Sequence, residues 1–150
     1  IIMVKRYIMI KRLTSSFKPH KAGLGRVLGD IERLVMDILW SRVEVTGREV
    51  LEEIQKERPL AFTTILTVME RLLKKGLIKR KKMGGVFVYA PSISRDEFVK
   101  QVSEEVLQGI LDISASSAAS SFVDILYKTS PDEMDRLSRL IEERKKAASK

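Results

Sequence analysis

The sequence predicts a mainly α-helical protein with one small β-hairpin. Three observations support this fold class. Thr46, Ser94 and Ser130 each precede a Glu by three residues and an apolar-periodic run, which is the capping-box spacing of a helix start. Two short β-type runs, LIKRKK and VFVYAP, flank a MetGlyGly sequence at residues 83–85. No strand pattern follows Ser94.

The first three helices are predicted between residues 30 and 75. Residues 30–40 form the first, because their apolar residues recur at helical spacing. Thr46 caps the second, which runs to about Lys56. Pro59 disfavours helix at the residue before it, so the chain must turn there. The third helix, 62–75, lies in AFTTILTVMERLLKKG and ends at Gly76.

The order of three helices and a hairpin with a basic strand is that of a winged helix-turn-helix domain. In such domains the second and third helices form the unit that reads DNA. We therefore predict a basic, flexible N-terminal arm at 1–27, a winged helix-turn-helix domain at 28–91 and a helical dimerisation region at 92–150.

The third helix has two distinct faces. Its apolar stripe is expected to dock on the first two helices, and its members are Ile65, Val68, Met69, Leu72 and Leu73. The other face is a candidate DNA-contacting surface, whose members are Thr63, Thr64, Leu66, Thr67, Arg71 and Lys74. Thr hydroxyls can bond phosphate oxygens or base edges, and Thr is a poor choice for a merely solvated helix surface. The alternative is that this face is only the wet side of a core helix.

The hairpin adds a candidate wing at residues 79–87. Four consecutive cations begin it, and Lys81 and Lys82 are the candidate contacts to DNA phosphates. Because successive strand residues point to opposite faces, about half of the four can meet phosphates together. The alternative interpretation is a solvated edge that prevents strand pairing.

The charge of the chain favours a polyanionic partner. The net charge is +8, with +7 in residues 1–29, +3 in 30–91 and −2 in 92–150. The chain has no Cys and one His, so a thiol nucleophile, a thiolate metal site and a zinc cluster are not expected. Adjacent acids such as Glu52 and Glu53 point about 100° apart on a helix and cannot share a substrate. We expect no enzymatic activity, no cofactor and no metal.

The N-terminal sequence IIMVKRYIMIKRL has apolar runs of about four residues, broken by Lys-Arg pairs. It therefore predicts neither a signal peptide nor a membrane span, and we expect a cytoplasmic protein. Three interpretations of the arm stay open: a minor-groove or nonspecific DNA contact, a disordered tail, or an extra strand from VKRYIMIKRL.

Three further helices are predicted after the wing, at 94–113, 116–127 and 131–148. Short amphipathic helices bury little apolar surface alone, so we expect them to pair with a second copy of the chain. The alternative is that they fold back on the winged domain in a monomer. The predicted dimerisation residues are Phe98, Val102, Ile110, Phe122, Leu126, Met134, Leu137 and Ile141.

Four segments resemble the penicillinase repressor family, which includes methicillin-resistance repressors and copper-responsive relatives. They are LGDIERLVMDILW (28–40), VTGREVLEEI (45–54), AFTTILTVMERLLKKGLIKRKKMGGVFVYAP (61–91) and FVDILYKTSPDEMDRLSRLI (122–141). The resemblance implies a dimeric repressor that binds double-stranded DNA at a palindromic operator. The second hypothesis is a winged-helix protein-interaction module without specific DNA binding.

The resemblance also matches individual residues of this chain to functional residues of the family. Thr64, Thr67 and Arg71 match DNA-contacting residues of the family, whereas Leu66 replaces an Arg of the staphylococcal-type repressors. Copper-responsive members sense metal through C-terminal cysteines, which this chain lacks. The β-lactam-responsive members are cleaved by a regulatory protease at an Asn-Phe bond. The matching pair, Ser121-Phe122, keeps only the Phe, so a proteolytic switch is a hypothesis here.

Overall fold

The computed structural model of the protein describes residues 4, 10, 11, 17, 18 and 23–150. Between residues 23 and 150, a 3-10 helix at Gly23–Arg26 is followed by six α-helices and three strands. The helices are α1 (Asp30–Ser41), α2 (Gly47–Gln55), α3 (Phe62–Lys74), α4 (Arg95–Ile113), α5 (Ala115–Thr129) and α6 (Pro131–Ala148). The strands are β1 (Val45–Thr46), β2 (Ile78–Met83) and β3 (Val86–Pro91). The mainly helical fold with a small hairpin is confirmed.

The three strands form one antiparallel sheet in the order β1-β3-β2. The two-residue strand β1, which the sequence did not predict, pairs Val45 with Tyr89. Met83 pairs with Val86 across the hairpin, so Gly84 and Gly85 are the two turn residues. Their φ angles of 56° and 80° are both positive, as a tight hairpin turn matched to the strand twist requires.

The chain divides into two compact units, Ile1–Val106 and Leu107–Lys150, and the division falls within α4. The first unit contains the winged-helix elements and one hydrophobic core. Fully buried side chains come from α1 (Val35, Met36, Leu39), α3 (Ile65, Met69, Leu72) and α4 (Phe98). Helices α1, α2 and α3 therefore share one core with the base of the sheet.

Local hydrogen bonds fix the helix starts. The Thr46 hydroxyl accepts from the Glu49 N–H at 3.3 Å, and the Glu49 carboxylate accepts from the Thr46 N–H at 2.7 Å. This capping box confirms the predicted start of α2. The Ser94 hydroxyl likewise accepts from the Glu97 N–H at 3.2 Å. At Ser130 the predicted capping box is wrong: α6 begins at Pro131, but the Ser130 side chain makes no capping hydrogen bond.

Gly76 ends α3 as predicted, with a φ of 74°. Its N–H donates to the Leu73 carbonyl at 3.0 Å, and the Leu77 N–H donates to the Leu72 carbonyl at 3.0 Å. This pair of bonds is a Schellman motif, in which a left-handed residue closes the helix and reverses the chain. The chain consequently leaves α3 directly into β2.

Two of the predicted dimerisation residues belong to the core of the first unit, which corrects that prediction. Phe98 is fully buried and Val102 is 9% exposed. The Phe98 ring lies 5.5 Å from the ring of Trp40, between centroids, and the Trp40 indole N–H donates to the Ile93 carbonyl at 2.9 Å. The physical reason is that the first turns of α4 cover α1, so these side chains are enclosed within one chain.

Most of the predicted N-terminal arm lies outside the described residues. Of its described part, Ile10 is buried in the core of the first unit, and Lys11 Nζ lies 3.9 Å from a Glu105 carboxylate oxygen. Val4, Ile10 and Lys11 have helical backbone, which is contrary to the strand alternative at those three positions. The DNA contact and the disordered tail stay predictions for the arm.

The second unit consists of the end of α4 with α5 and α6. Neither α5 nor α6 contains a buried residue. Ile110, Phe122 and Ile141 are 45%, 42% and 45% exposed, whereas Leu126, Met134 and Leu137 are half-buried. The second unit therefore has an extensive apolar surface open to solvent.

Among the helices of the described ranges, none combines the length and apolar character that crossing a membrane requires. The same residues include no cluster of three His, Cys, Asp or Glu side chains able to hold a metal ion.

A partly buried ion pair joins the start of α1 to the end of α3. Glu32 is only 7% exposed, and its carboxylate accepts from the Gly29 N–H at 3.0 Å and from Lys75 Nζ at 2.6 Å. Burial acts to raise the pKa of Glu32. The hydrogen bonds from Lys75 and Gly29, with the charges of Lys75 and Arg71, outweigh burial and hold the pKa below its ordinary value of 4.5. The charged form of Glu32 therefore stabilises the fold.

Glu32→Gln is expected to lower the free energy of unfolding by about 1–3 kcal/mol at neutral pH, because Lys75 loses its charged partner. A pKa lowered by folding contributes stability that is complete above the ordinary value and is lost as pH falls through the folded-state value. The difference between wild type and variant should therefore shrink below about pH 4.5. Urea unfolding measured from pH 7 to pH 3 checks this. Glu52→Gln, at an exposed residue of α2, is the control, and a constant difference across the range would contradict the account.

Candidate nucleic-acid interface

Helix α3 presents one buried and one exposed face, as its sequence predicts. Ile65, Val68, Met69 and Leu72 are the buried residues of the helix. The predicted polar residues lie on the opposite side, and all of these are exposed: Thr63, Thr64, Thr67, Arg71 and Lys74. The structure thus brings the three threonines and two cations together on one solvent-facing surface, which we call the α3 outer face.

The Thr67 hydroxyl already has one partner within the helix. It donates to the Thr63 carbonyl at 2.9 Å, which fixes its orientation. A hydroxyl that donates internally keeps its oxygen lone pairs for an external donor, such as a base amino group. Its methyl group is available for apolar contact with a thymine methyl. Thr67 can therefore contact a base edge in two ways.

Leu66 and Phe62 pack on the start of α2. Both side chains lie against the buried Gly47 at the start of α2. A Cβ atom built on this glycine would be 3.4 Å from Leu66 Cδ2 and 3.4 Å from Phe62 Cε2, which is van der Waals contact. The Phe62 ring also lies under the Arg48 guanidinium, 5.3 Å from the centroid. The prediction that Phe62 packs inward is confirmed, and Leu66 is half-buried rather than fully exposed. Leu66 therefore holds α3 against α2 as well as bordering the outer face.

The cations of the wing are not equivalent. Lys81 Nζ lies 2.6 Å from a Glu44 carboxylate oxygen, and Arg80 is paired with Glu70 of α3. The Arg80 guanidinium also lies over the Phe87 ring at 4.4 Å from its centroid. The Glu70 carboxylate, and after it the Tyr89 side chain, raise the pKa of Arg80. Two of the four cations are thus engaged within the protein.

Lys79 and Lys82 are exposed and have no acidic partner among residues 23–150. Lys82, a predicted phosphate contact, keeps its charge available. Lys81 is the other predicted phosphate contact. To bind a phosphate it must either leave Glu44 or contact Glu44 and the phosphate together. Met83 and Val86 at the tip are 51% and 52% exposed, so the end of the wing is apolar.

Sequence reasoning missed Glu70, although it lies on the α3 outer face. Thr63, Thr67, Glu70 and Lys74 follow one line along the helix at spacings of four, three and four. The helical spacing places Glu70 on this face, but an acidic residue does not fit the pattern of hydroxyls and cations that predicts DNA binding. Its partner Arg80 lies on another element, and no helical periodicity indicates that pairing.

Ser121 and Phe122, the pair matched to a family cleavage site, lie in the middle of α5. Both side chains are exposed, but their backbone is helical. Their use as a proteolytic switch stays a hypothesis.

Comparison with known proteins matches these features to one family. The sequence profile described as penicillinase repressor matches residues 28–143. The chain is 40% identical over 117 residues to the transcriptional regulator BlaI of Mycobacterium tuberculosis, covering 77% of this chain and 83% of that protein. It is 30% identical over 118 residues to the penicillinase repressor of Bacillus licheniformis, covering 79% and 91%.

Among solved structures, one similar chain is the solution structure of the DNA-binding domain of the repressor BlaI. It is 36% identical, covers 47% of this chain and 85% of that one, and has a TM-score of 0.43. The profile match spans well over half of the chain and the relatives agree with it. The chain therefore belongs to the penicillinase repressor family.

Proposed function

We propose that the protein is a sequence-specific DNA-binding transcriptional regulator, a dimeric repressor that binds a palindromic operator through α3 and the wing. The observation that carries this proposal is the α3 outer face, where exposed threonines and cations lie together in a member of the penicillinase repressor family. The relatives named above are a transcriptional regulator and a repressor, not enzymes. We accordingly propose binding rather than catalysis as the activity.

The residues of the α3 outer face divide into two roles. Thr63, Thr64 and Thr67 lie in the first half of the helix, the part that contacts base edges when a recognition helix enters the major groove. Arg71 and Lys74 lie in the last turn and suit backbone phosphates. Lys82 extends the cationic surface to the wing. Threonines specify the sequence in this proposal, and cations supply the affinity.

The second unit supports a dimer. Its apolar residues are open to solvent in the single chain, and a unit of this size buries too little surface alone to be stable. A second copy would cover the exposed Ile110, Phe122 and Ile141, and would further bury Leu126, Met134 and Leu137, which are half-buried in the single chain. Two-fold symmetry would also match two operator half-sites.

Regulation by a protease is part of the proposal only as a hypothesis from the resemblance. Because Ser121-Phe122 lies inside α5, the helix would have to open locally before a protease could bind the bond in extended form. Dimer contacts on α5 would oppose that opening.

Thr67→Ala is expected to reduce discrimination between two duplexes, one enriched by the protein from a random-sequence pool and one a scramble of it. The ratio of the two affinities should fall by about fivefold, the equivalent of about 1 kcal/mol for one base contact. Alanine has a higher helix propensity than threonine, so the variant is expected to keep α3 folded. Thr67→Ser, which keeps the hydroxyl, is the control. An unchanged ratio in fluorescence-anisotropy titrations would contradict the role of Thr67.

Arg71→Ala is expected to weaken binding to both duplexes by a similar factor, because a phosphate contact carries no sequence information. The slope of log affinity against log salt should become shallower by about 0.9, the contribution of one phosphate. Titrations at four or more salt concentrations measure the slope. Arg144→Ala, near the end of α6, should leave it unchanged, and the assignment is wrong if both variants keep the wild-type slope.

Ile141→Glu is expected to convert the protein from dimer to monomer, because it places a charge in the apolar surface that the second copy covers. Light scattering coupled to size-exclusion chromatography should give twice the 17.1 kDa chain mass for wild type and a single chain mass for the variant. Lys146→Glu, an exposed charge change on the same helix, should remain dimeric. A wild-type protein that is monomeric at micromolar concentration would contradict the dimer.

A further inference from the structure

Glu70 is the one acidic residue of α3, and it occupies the centre of the outward line of Thr63, Thr67 and Lys74. Its side chain is 50% exposed. A carboxylate at that position repels the phosphates that the neighbouring cations attract. The negative charge of Glu70 opposes DNA binding, although it lies within the surface proposed to bind DNA. Its presence there therefore needs a physical explanation.

The reason lies in its partner. Arg80 Nη1 of β2 donates to Glu70 Oε1, so the carboxylate is neutralised where it stands. The same guanidinium lies over the Phe87 ring of β3, 4.4 Å from the centroid. Glu70, Arg80 and Phe87 therefore form a continuous set of contacts from α3 across both strands of the wing.

The rest of the hairpin shows what this set of contacts adds. The base of the wing is held by the core, because Ile78 and Tyr89 are each 3% exposed and β3 pairs with β1. The tip is open, with Met83 and Val86 about half exposed. Arg80 is the cross-strand partner of Tyr89, halfway along the hairpin, and lies on the face of β2 opposite to the one where Lys81 meets Glu44. The Glu70–Arg80 pair thus fixes the middle of the wing to the recognition helix itself.

We infer that Glu70 is a positioning residue for sequence discrimination. Through Arg80 it holds the wing at one place relative to α3. The contacts of the wing with DNA phosphates therefore form only when α3 is in register with the bases that it contacts. The inference rests on the proposed function. It predicts that Glu70 lowers general affinity for DNA while it raises the preference for the correct sequence. A residue that only stabilised the fold would change both affinities alike.

Glu70→Gln tests this with the full chain and the enriched and scrambled duplexes. Loss of the negative charge and release of Arg80 should tighten binding to the scrambled duplex and steepen its salt slope by about one phosphate. Binding to the enriched duplex should not tighten in proportion, so the ratio of affinities should fall by about threefold to tenfold. Because an exposed ion pair contributes little to stability, the thermal unfolding midpoint should shift by no more than about 4 °C.

Two further variants isolate the pair from the charge. Glu52→Gln, an exposed acid of α2, makes the same change in net charge and should leave the ratio as in wild type. In Glu70→Gln/Arg80→Gln the ratio should be as low as in Glu70→Gln alone, because the loss of Glu70 already separates the wing from α3. A ratio in the double variant clearly lower than that of Glu70→Gln alone would overturn the inference.

The inference is also overturned if Glu70→Gln tightens both duplexes equally, since the carboxylate would then only repel DNA. It is overturned equally if both affinities fall by the same factor together with the unfolding midpoint, since the role would then be structural. The wild-type ratio is measured first and tests the proposed function separately: a ratio of one would reject that function before any variant is made.

Discussion

The apolar stripe of α3 determines which side chains of that helix face solvent, and the candidate interface depends on this packing. Ile65, Met69 and Leu72 are fully buried against the other elements of the first unit. Because the helix cannot rotate without exposing them, Thr63, Thr67 and Lys74 are held outward. Glu32 and Lys75 fix the C-terminal end of the same helix to α1. The orientation of the outer face thus follows from burial on the other side.

The charges around this face are more ordered than the net charge indicates. A basic chain of +8 could bind polyanions through any exposed cation. Here Arg80 and Lys81 are paired with Glu70 and Glu44, whereas Lys82 and Lys79 have no acidic partner in the described part of the chain. Because some cations are paired and others are available, DNA phosphates are attracted to defined positions rather than to the whole basic surface. This is a physical basis on which one small surface can combine affinity with sequence preference.

The sequence predicted the features that depend on local periodicity and turn chemistry. The helix starting after Thr46, the end at Gly76 and the glycine turn at 84–85 are all in the structure, because each depends on bonds within a few residues. Features that depend on distant partners were missed. β1 is only two residues long, and Glu32, a buried acid, pairs with a lysine 43 positions away.

Phe98 is a second case in which the sequence did not reveal a distant packing partner. Its helical spacing indicated an apolar face correctly, but periodicity does not reveal what covers that face. The structure places Trp40 there, on α1, rather than a second chain. The exposed apolar residues of the second unit were predicted by the same pattern, and they remain open in the single chain. Only burial measured in three dimensions separates the two cases.

The most direct test of the central claim is selection of bound duplexes from a random-sequence pool by the wild-type protein at moderate salt. The account predicts enrichment of one sequence that contains two inverted half-sites, with centres about one helical turn of DNA, or a multiple of it, apart. Retention of the pool without enrichment of any sequence, with affinity that depends only on salt, would contradict the claim that the α3 outer face reads DNA.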